Sequence, residues 1–164
     1  MHDTAALLLE AIVNSVEAGA DVIDAFVDIS GGTIHVRVED DGTYTALSDP
    51  FQAGKTSKGE GRGRGLSIIK DRSEGRCRLT RGEGITVLEF VADDDGSFSD
   101  LSSALLPIMN MDKSIEITIR NDGRETTKVT RKFLEERDAV PDRASGIRRF
   151  REILSSLAKG DIYG

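Results

Sequence analysis

The 164-residue sequence has no tryptophan, and aromatic residues make up only 5% of it. A surface that grips single-stranded nucleic acid by stacking its bases has little here to stack on. There is a single cysteine, Cys77, which excludes an internal disulfide and a cysteine-built metal site. Cys77 falls in a predicted strand with no base beside it in sequence, so it reads as a small packing residue. Only two histidines occur, His2 and His35. A cationic excess is also missing: 22 basic side chains stand against 29 acidic ones, a net charge of -7. Broad binding to nucleic acid or to an anionic membrane needs a cationic footprint, so neither is expected. The apolar run Ala5–Leu9 is short, has no basic leader and soon meets Glu10 and Asn14. It reads as neither a signal peptide nor a membrane span, and the expectation is a soluble cytoplasmic protein.

What is present is enough chain for one domain with a real core, or one domain plus a small extension. The first helix starts with Asp3 or Thr4 as a cap and stops near Gly19. At helical spacing, Ala5, Leu8, Leu9, Ile12, Val13 and Val16 fall on one arc. Glu10, Asn14 and Glu17 share the opposite face. Taken alone, this pattern is better read as a solvated polar face, although Asn is a poor mid-helix residue with no capping task there.

Two strands follow, Val22 to Ile29 and Thr33 to Val38, flanking Gly31-Gly32, a turn of the kind that tolerates positive φ. Ile34, Val36 and Val38 alternate with His35, Arg37 and Glu39, so one face is buried and His35 lies on the polar one. The second strand runs into Asp40-Asp41-Gly42, which by itself is an ordinary Asp-Gly turn. Tyr44 to Arg64 is long and lacks periodicity, with Gly54, Gly59, Gly61 and Gly63 among the basic residues Lys55, Lys58, Arg62 and Arg64. A stretch of that kind inside a compact domain is either functional or disordered. From Gly65 a helix is predicted through Leu66, Ile68, Ile69 and Lys70, ending at Gly75. Glycines leading into a helix N-terminus present backbone N–H groups to an anion. A flexible linker has similar composition, but four basic side chains in an acidic protein favour a phosphate. Arg76 to Arg81 and Ile85 to Val91 complete the unit as strands joined by Gly82-Glu83-Gly84.

The order Glu10…Asn14, Asp40-Asp41-Gly42, Gly61-Arg-Gly63-Arg-Gly65-Leu66 and Gly84-Ile-Thr86 resembles the four boxes of the GHKL, or Bergerat-fold, ATPases. That superfamily includes type II topoisomerases, the large heat-shock chaperone, sensor histidine kinases and mismatch-repair ATPases. Asn14-Ser-Val-Glu-Ala-Gly-Ala20 is similar to the mismatch-repair version, and Asp49-Pro50-Phe51 to the histidine-kinase branch. A narrower resemblance, to small stand-alone ATP-binding proteins of anaerobic bacteria, adds Val129-Thr-Arg-Lys-Phe-Leu-Glu-Glu136. The superfamily resemblance implies ATP and Mg²⁺ as ligands, with Asn14 coordinating the metal and Glu10 as general base on the attacking water. It implies that Asp40 accepts a hydrogen bond from the adenine amino group and that Gly42 lets the backbone approach the base. It further implies that Gly61, Gly63, Gly65 and Leu66 wrap the phosphates with Lys55, Lys58, Arg62 and Arg64, and that Thr86 supplies a hydroxyl near the adenine.

The sequence departs from the family pattern at several places. Tyr44 stands where a second glycine is usual, and Asp41 where Asn is usual. Two arginines occupy the glycine box, and Ile85 takes the place of a threonine, shifting the hydroxyl to Thr86. Beyond residue 98 the acidic excess fades. A helix is predicted over Leu101–Ile108, ending near Asn110. A hairpin of Ser114–Arg120 and Glu125–Thr130 turns at Asn121-Asp122-Gly123. A last helix, Arg143–Ala158, has Ile147, Phe150, Leu154 and Leu157 on one stripe. Its Arg143, Arg148, Arg149 and Arg151 fit an acidic partner or simply a solvated face.

The expected fold is a two-layer α/β sandwich, a Bergerat-type mixed sheet with helices on one face. A core over residues 1–92 is followed by a hairpin-and-helix extension over 93–164, packed on the core or on a partner. The expected function is Mg²⁺-dependent ATP binding, with slow hydrolysis or phosphoryl transfer to a separate protein. The alternatives are a non-catalytic nucleotide-sensing module that regulates a partner and an anti-sigma-like serine kinase. Oligomeric state is left open.

Overall fold

The computed structural model describes residues 4–43, 64–94, 101–111, 113–123 and 126–158. In chain order these form α1 (Thr4–Glu17), β1 (Val22–Ser30), β2 (Thr33–Asp40), α2 (Arg64–Arg72), β3 (Cys77–Gly82) and β4 (Ile85–Asp93). They continue as α3 (Leu101–Met109), β5 (Ser114–Asn121), β6 (Thr127–Val129), α4 (Arg131–Glu136) and α5 (Ala144–Ala158).

Strict alternation along β1, β2 and β4 gives each strand one buried and one open side. The turns that set their register are glycine turns. Gly31 and Gly32 both have positive φ, at 60° and 82°, as does the Glu83-Gly84 pair between β3 and β4. The six strands form one mixed sheet in the order β3-β4-β2-β1-β5-β6. Most neighbours are antiparallel, but β1 and β5 run parallel, with Ile23 opposite Ile115 and Val27 opposite Ile119. The C-terminal hairpin is thus built into the same sheet, next to β1.

Register lines the buried residues up in rows across the sheet. Leu88, Val38, Ala25, Ile117 and Val129 form one row; Phe90, Val36, Val27 and Ile119 form the next. Helices cover this face. α1 packs against α2 and α3, and α3 packs against α5. Leu7, Leu8, Ile12, Ile69, Leu105, Phe150 and Leu154 join the strand residues in one core cluster. Truncating a fully buried residue such as Phe90 to alanine costs about 3–5 kcal/mol on typical scales. The other face carries ion pairs, including Arg78–Glu89 at 2.9 Å and Arg120–Asp28 at 2.6 Å. These are half-exposed and contribute about 1 kcal/mol or less each.

The mixed sheet with helices on one face agrees with the sandwich expected from sequence. Three local expectations need correction. The buried stripe of α1 is Thr4, Ala5, Leu7, Leu8, Ala11, Ile12 and Ser15, while Leu9, Val13 and Val16 are only partly buried. The stripe is rotated because α1 lies against α2, α3 and the inner strands β1, β2 and β4, and hydrophobicity alone does not reveal which of its sides they meet. β6 is only three residues long, because Thr130 leaves the ladder to cap a helix. That helix, α4, was not expected. The Thr130 hydroxyl accepts from the Phe133 N–H at 3.1 Å, and Arg137 stacks 3.8 Å from the Phe133 ring centroid.

Candidate functional site

The site grows from the end of β2. Asp40 is the last residue of that strand and lies on its buried side, only 4% exposed. Directly opposite on β4 stands Thr86, also 4% exposed. Alternation decides which residue of β4 faces Asp40: Ile85 points to the other side and is 45% exposed. The sequence departure at Ile85 therefore leaves a hydroxyl, not a methyl-rich side chain, beside the acid.

The Asp40 carboxylate is held from two sides. Its Oδ1 accepts the Gly42 N–H at 2.9 Å, and its Oδ2 accepts the Ser15 hydroxyl of α1 at 2.6 Å. Ser15 is 2% exposed, at the centre of the buried stripe of α1.

The turn after β2 lies directly on the end of α1. The Thr43 N–H donates to the Ala18 carbonyl at 2.8 Å. A Cβ on Gly42 would come within 3.0 Å of the Ala18 Cβ and carbonyl oxygen and 3.2 Å of Asp40 Oδ1. Gly42 is therefore a close-approach glycine, required by packing against the helix. Asp41 points away from Asp40 and caps the α1–β1 connection: its Oδ1 accepts the backbone N–H groups of Asp21, at 2.8 Å, and Val22, at 3.1 Å. Those bonds, with Val22 first, hold the Asp41 carboxyl below its ordinary range.

Asn14 and Glu10 occupy the flank of α1, both partly buried, whereas Glu17 is exposed. Successive helical residues are about 100° apart around the axis. Ser15 thus reaches Asp40 on the sheet, while Asn14, one residue earlier, lies about 100° around the helix from it. Glu10 is one turn further along the same flank, about 6 Å from Asn14. The helix that presents Asn14 and Glu10 is thereby pinned, through Ser15, to the strand that presents Asp40.

Of the other residues expected at the site, Lys55, Lys58, Gly61, Arg62 and Gly63 lie outside the described residues, as do Tyr44 and Asp49-Pro50-Phe51. Arg64 and Gly65 begin the backbone of α2, and Leu66 is buried in the core, where it anchors that helix. Sequence reading passed over Ser15, Ala18 and the anchoring role of Asp41.

Two features fall away from this site. A groove of about 470 Å³ lies on the open face of the sheet, bordered by Phe26, His35, Glu39 and Glu116. The carboxyl of Asp24 there is pushed up by burial and by Glu116 and Glu39. The arginines Arg148, Arg149 and Arg151 are exposed on α5, and Arg149 donates to the Arg137 carbonyl at 3.2 Å. No described helix is long and apolar enough to cross a membrane.

Residues 3–95 match the family model described as "Histidine kinase-, DNA gyrase B-, and HSP90-like ATPase". The match covers more than half of the chain and runs from α1 through β4, the elements that carry Glu10, Asn14, Asp40, Gly42 and Thr86. No curated protein matches the chain.

Proposed function

The chain belongs to the histidine kinase-, DNA gyrase B- and HSP90-like ATPase family, and on that premise we propose an Mg²⁺-dependent ATP-binding protein that hydrolyses ATP slowly or passes the γ-phosphoryl group to a separate protein. ATP binding of the GHKL type is what the family domain carries. The observation supporting our finer reading is the buried Asp40 carboxylate, clamped by Ser15 and Gly42 and facing Thr86. An acceptor-only group beside a hydroxyl suits a base that offers an exocyclic amino group next to a ring nitrogen. Binding this pair inside a largely apolar wall gives strong selectivity, because a base lacking the amino group leaves the buried acid poorly satisfied.

Among the described residues no group of three or more His, Cys, Asp or Glu could hold a metal ion by itself. Mg²⁺ suits such a site, since it commonly takes one or two protein oxygens together with substrate phosphates and waters. Asn14 offers one neutral side-chain oxygen for it. The ion would supply charge neutralisation at the phosphates. Glu10, one helical turn away, accepts the proton of a water whose oxygen attacks the γ-phosphorus, with ADP as leaving group. In phosphoryl transfer a partner's side chain takes the place of that water.

The test is thermal unfolding with and without nucleotide. Saturating MgATP should raise the melting temperature, by about 2.7 kcal/mol of stabilisation at a hundredfold excess over Kd. Asp40→Asn should lose most of that shift while folding normally. An intact protein whose melting temperature ignores saturating MgATP contradicts the proposal.

A further inference from the structure

We infer that Ser15 is a positioning residue for base recognition: its hydroxyl fixes the Asp40 carboxylate in the orientation that reads the adenine amino group. This deepens the nucleotide reading above and rests on it.

A mid-helix serine ordinarily turns its hydroxyl back to the carbonyl four residues earlier. That choice is within reach here, because the Ala11 carbonyl is 3.4 Å from Ser15 Oγ. The shorter contact goes to Asp40 Oδ2, at 2.6 Å, within the range of a hydroxyl donating to a charged acceptor. A hydroxyl has one proton, so the carboxylate holds it. The second carboxylate oxygen is fixed by the Gly42 N–H, from the turn rather than from α1. Two donors on two different elements set both the Cβ–Cγ torsion and the plane of the acid. Removing the Ser15 bond takes away the only one of these two donors that comes from α1 and loosens the plane of the acid. All three partners are buried or partly buried, so water compensates poorly for the lost donor. Ser15 acts through Asp40, and its effect should therefore depend on what Asp40 reads.

The experiment compares ATP with purine riboside triphosphate, which lacks the 6-amino group, on the full chain. Binding of each is measured by calorimetry for wild type, Ser15→Ala, Asp40→Asn and the double variant. Wild type should prefer ATP. Ser15→Ala should weaken ATP by roughly tenfold or more, the usual size of a lost hydrogen bond to a charged group, and the desamino analogue by about twofold or less. In the Asp40→Asn background, Ser15→Ala should change ATP binding little, since the two residues act as one unit. Equal losses on both nucleotides assign Ser15 a structural role and overturn the inference, as does a Ser15→Ala protein that keeps the full preference for ATP. Should Ser15→Ala fold poorly, Ser15→Cys, which retains a weak donor, takes its place with an intermediate loss of preference expected. A wild type that binds the two nucleotides equally overturns the adenine assignment at Asp40 itself, and this inference with it.

Discussion

Asp40 and Thr86 face each other across β2 and β4 on the helix-covered side of the sheet, while Ile85, one residue before Thr86, faces solvent. A polar pair at this depth is costly unless both members are satisfied. The chain satisfies Asp40 with donors from α1 and from the turn that follows β2. Apolar residues occupy the next rows: Leu88 opposite Val38, then Phe90 opposite Val36. The acid and its hydroxyl neighbour therefore sit at the end of buried apolar rows, where the helix-covered face of the sheet turns polar.

Removing the proposed base separates catalysis from sensing. Glu10→Ala should leave MgATP affinity near wild type and lower hydrolysis by roughly two to four orders of magnitude, the size of a general-base effect. Asn14→Ala should instead weaken Mg²⁺-dependent binding. Equal turnover in wild type and Glu10→Ala would assign the measured ATPase to background and favour a nucleotide-sensing module.

His35 should not be a phosphoacceptor. It is exposed on β2, five residues before Asp40 and hence on the opposite face of the sheet. Incubation with γ-labelled ATP should give no acid-labile, alkali-stable label on His35, and His35→Ala should leave transfer to any partner unchanged. Label that appears on the wild-type chain and disappears in His35→Ala would falsify this assignment.

Gly42→Ala should destabilise the fold by about 1–3 kcal/mol, the range for overpacking a close contact. The new methyl meets the backbone oxygen of Ala18, which cannot move without disturbing the end of α1. The same displacement moves the Gly42 N–H off Asp40, so ATP affinity should fall along with the denaturation midpoint. Destabilisation with unchanged nucleotide affinity would show that this anchor is dispensable for binding.

Asp24 supplies a pH test remote from the site. Its carboxyl is pushed up by burial first, then by Glu116 and Glu39, with Lys128 opposing. The folded state therefore holds the Asp24 proton more tightly than the unfolded chain does. The resulting penalty is absent below the unfolded pKa, about 3.9, and is complete once pH exceeds the folded value. Asp24→Asn should stabilise the protein at pH 7 by about half a kcal/mol or less, since solvent screens this open face. The gain should vanish near pH 3, as chemical denaturation across that range can check. A variant less stable than wild type at pH 7 would contradict the assignment.

Much of this architecture is legible in adjacent residues. Alternation in Thr33–Val38, the turns at Gly31-Gly32 and Asp122-Gly123, and the stripe Phe150, Leu154 and Leu157 are local signals, and the elements formed where they predict. Such signals work because strand pleat, turn dihedrals and helical pitch are properties of a few consecutive residues. The α4 helix escaped because its six residues are too few to show a period, and its cap, Thr130, also reads as the end of a strand.

The spacing of Glu10, Asn14, Asp40, Gly42 and Thr86 was enough to name the family and to nominate the site. It could not reveal that Ser15 rather than Val16 faces the sheet, that Gly42 rests on Ala18, or that β5 runs parallel beside β1. Those outcomes depend on how α1 is rotated against the sheet and on which strand edge is left open once β1, β2 and β4 have paired. Both are settled by packing between residues far apart in sequence, as in the bond from Ser15 to Asp40 (25 apart) and that from Arg120 to Asp28 (92 apart). No local pattern encodes them, because the free energy that selects them comes from burial and hydrogen bonding that exist only once distant segments have met.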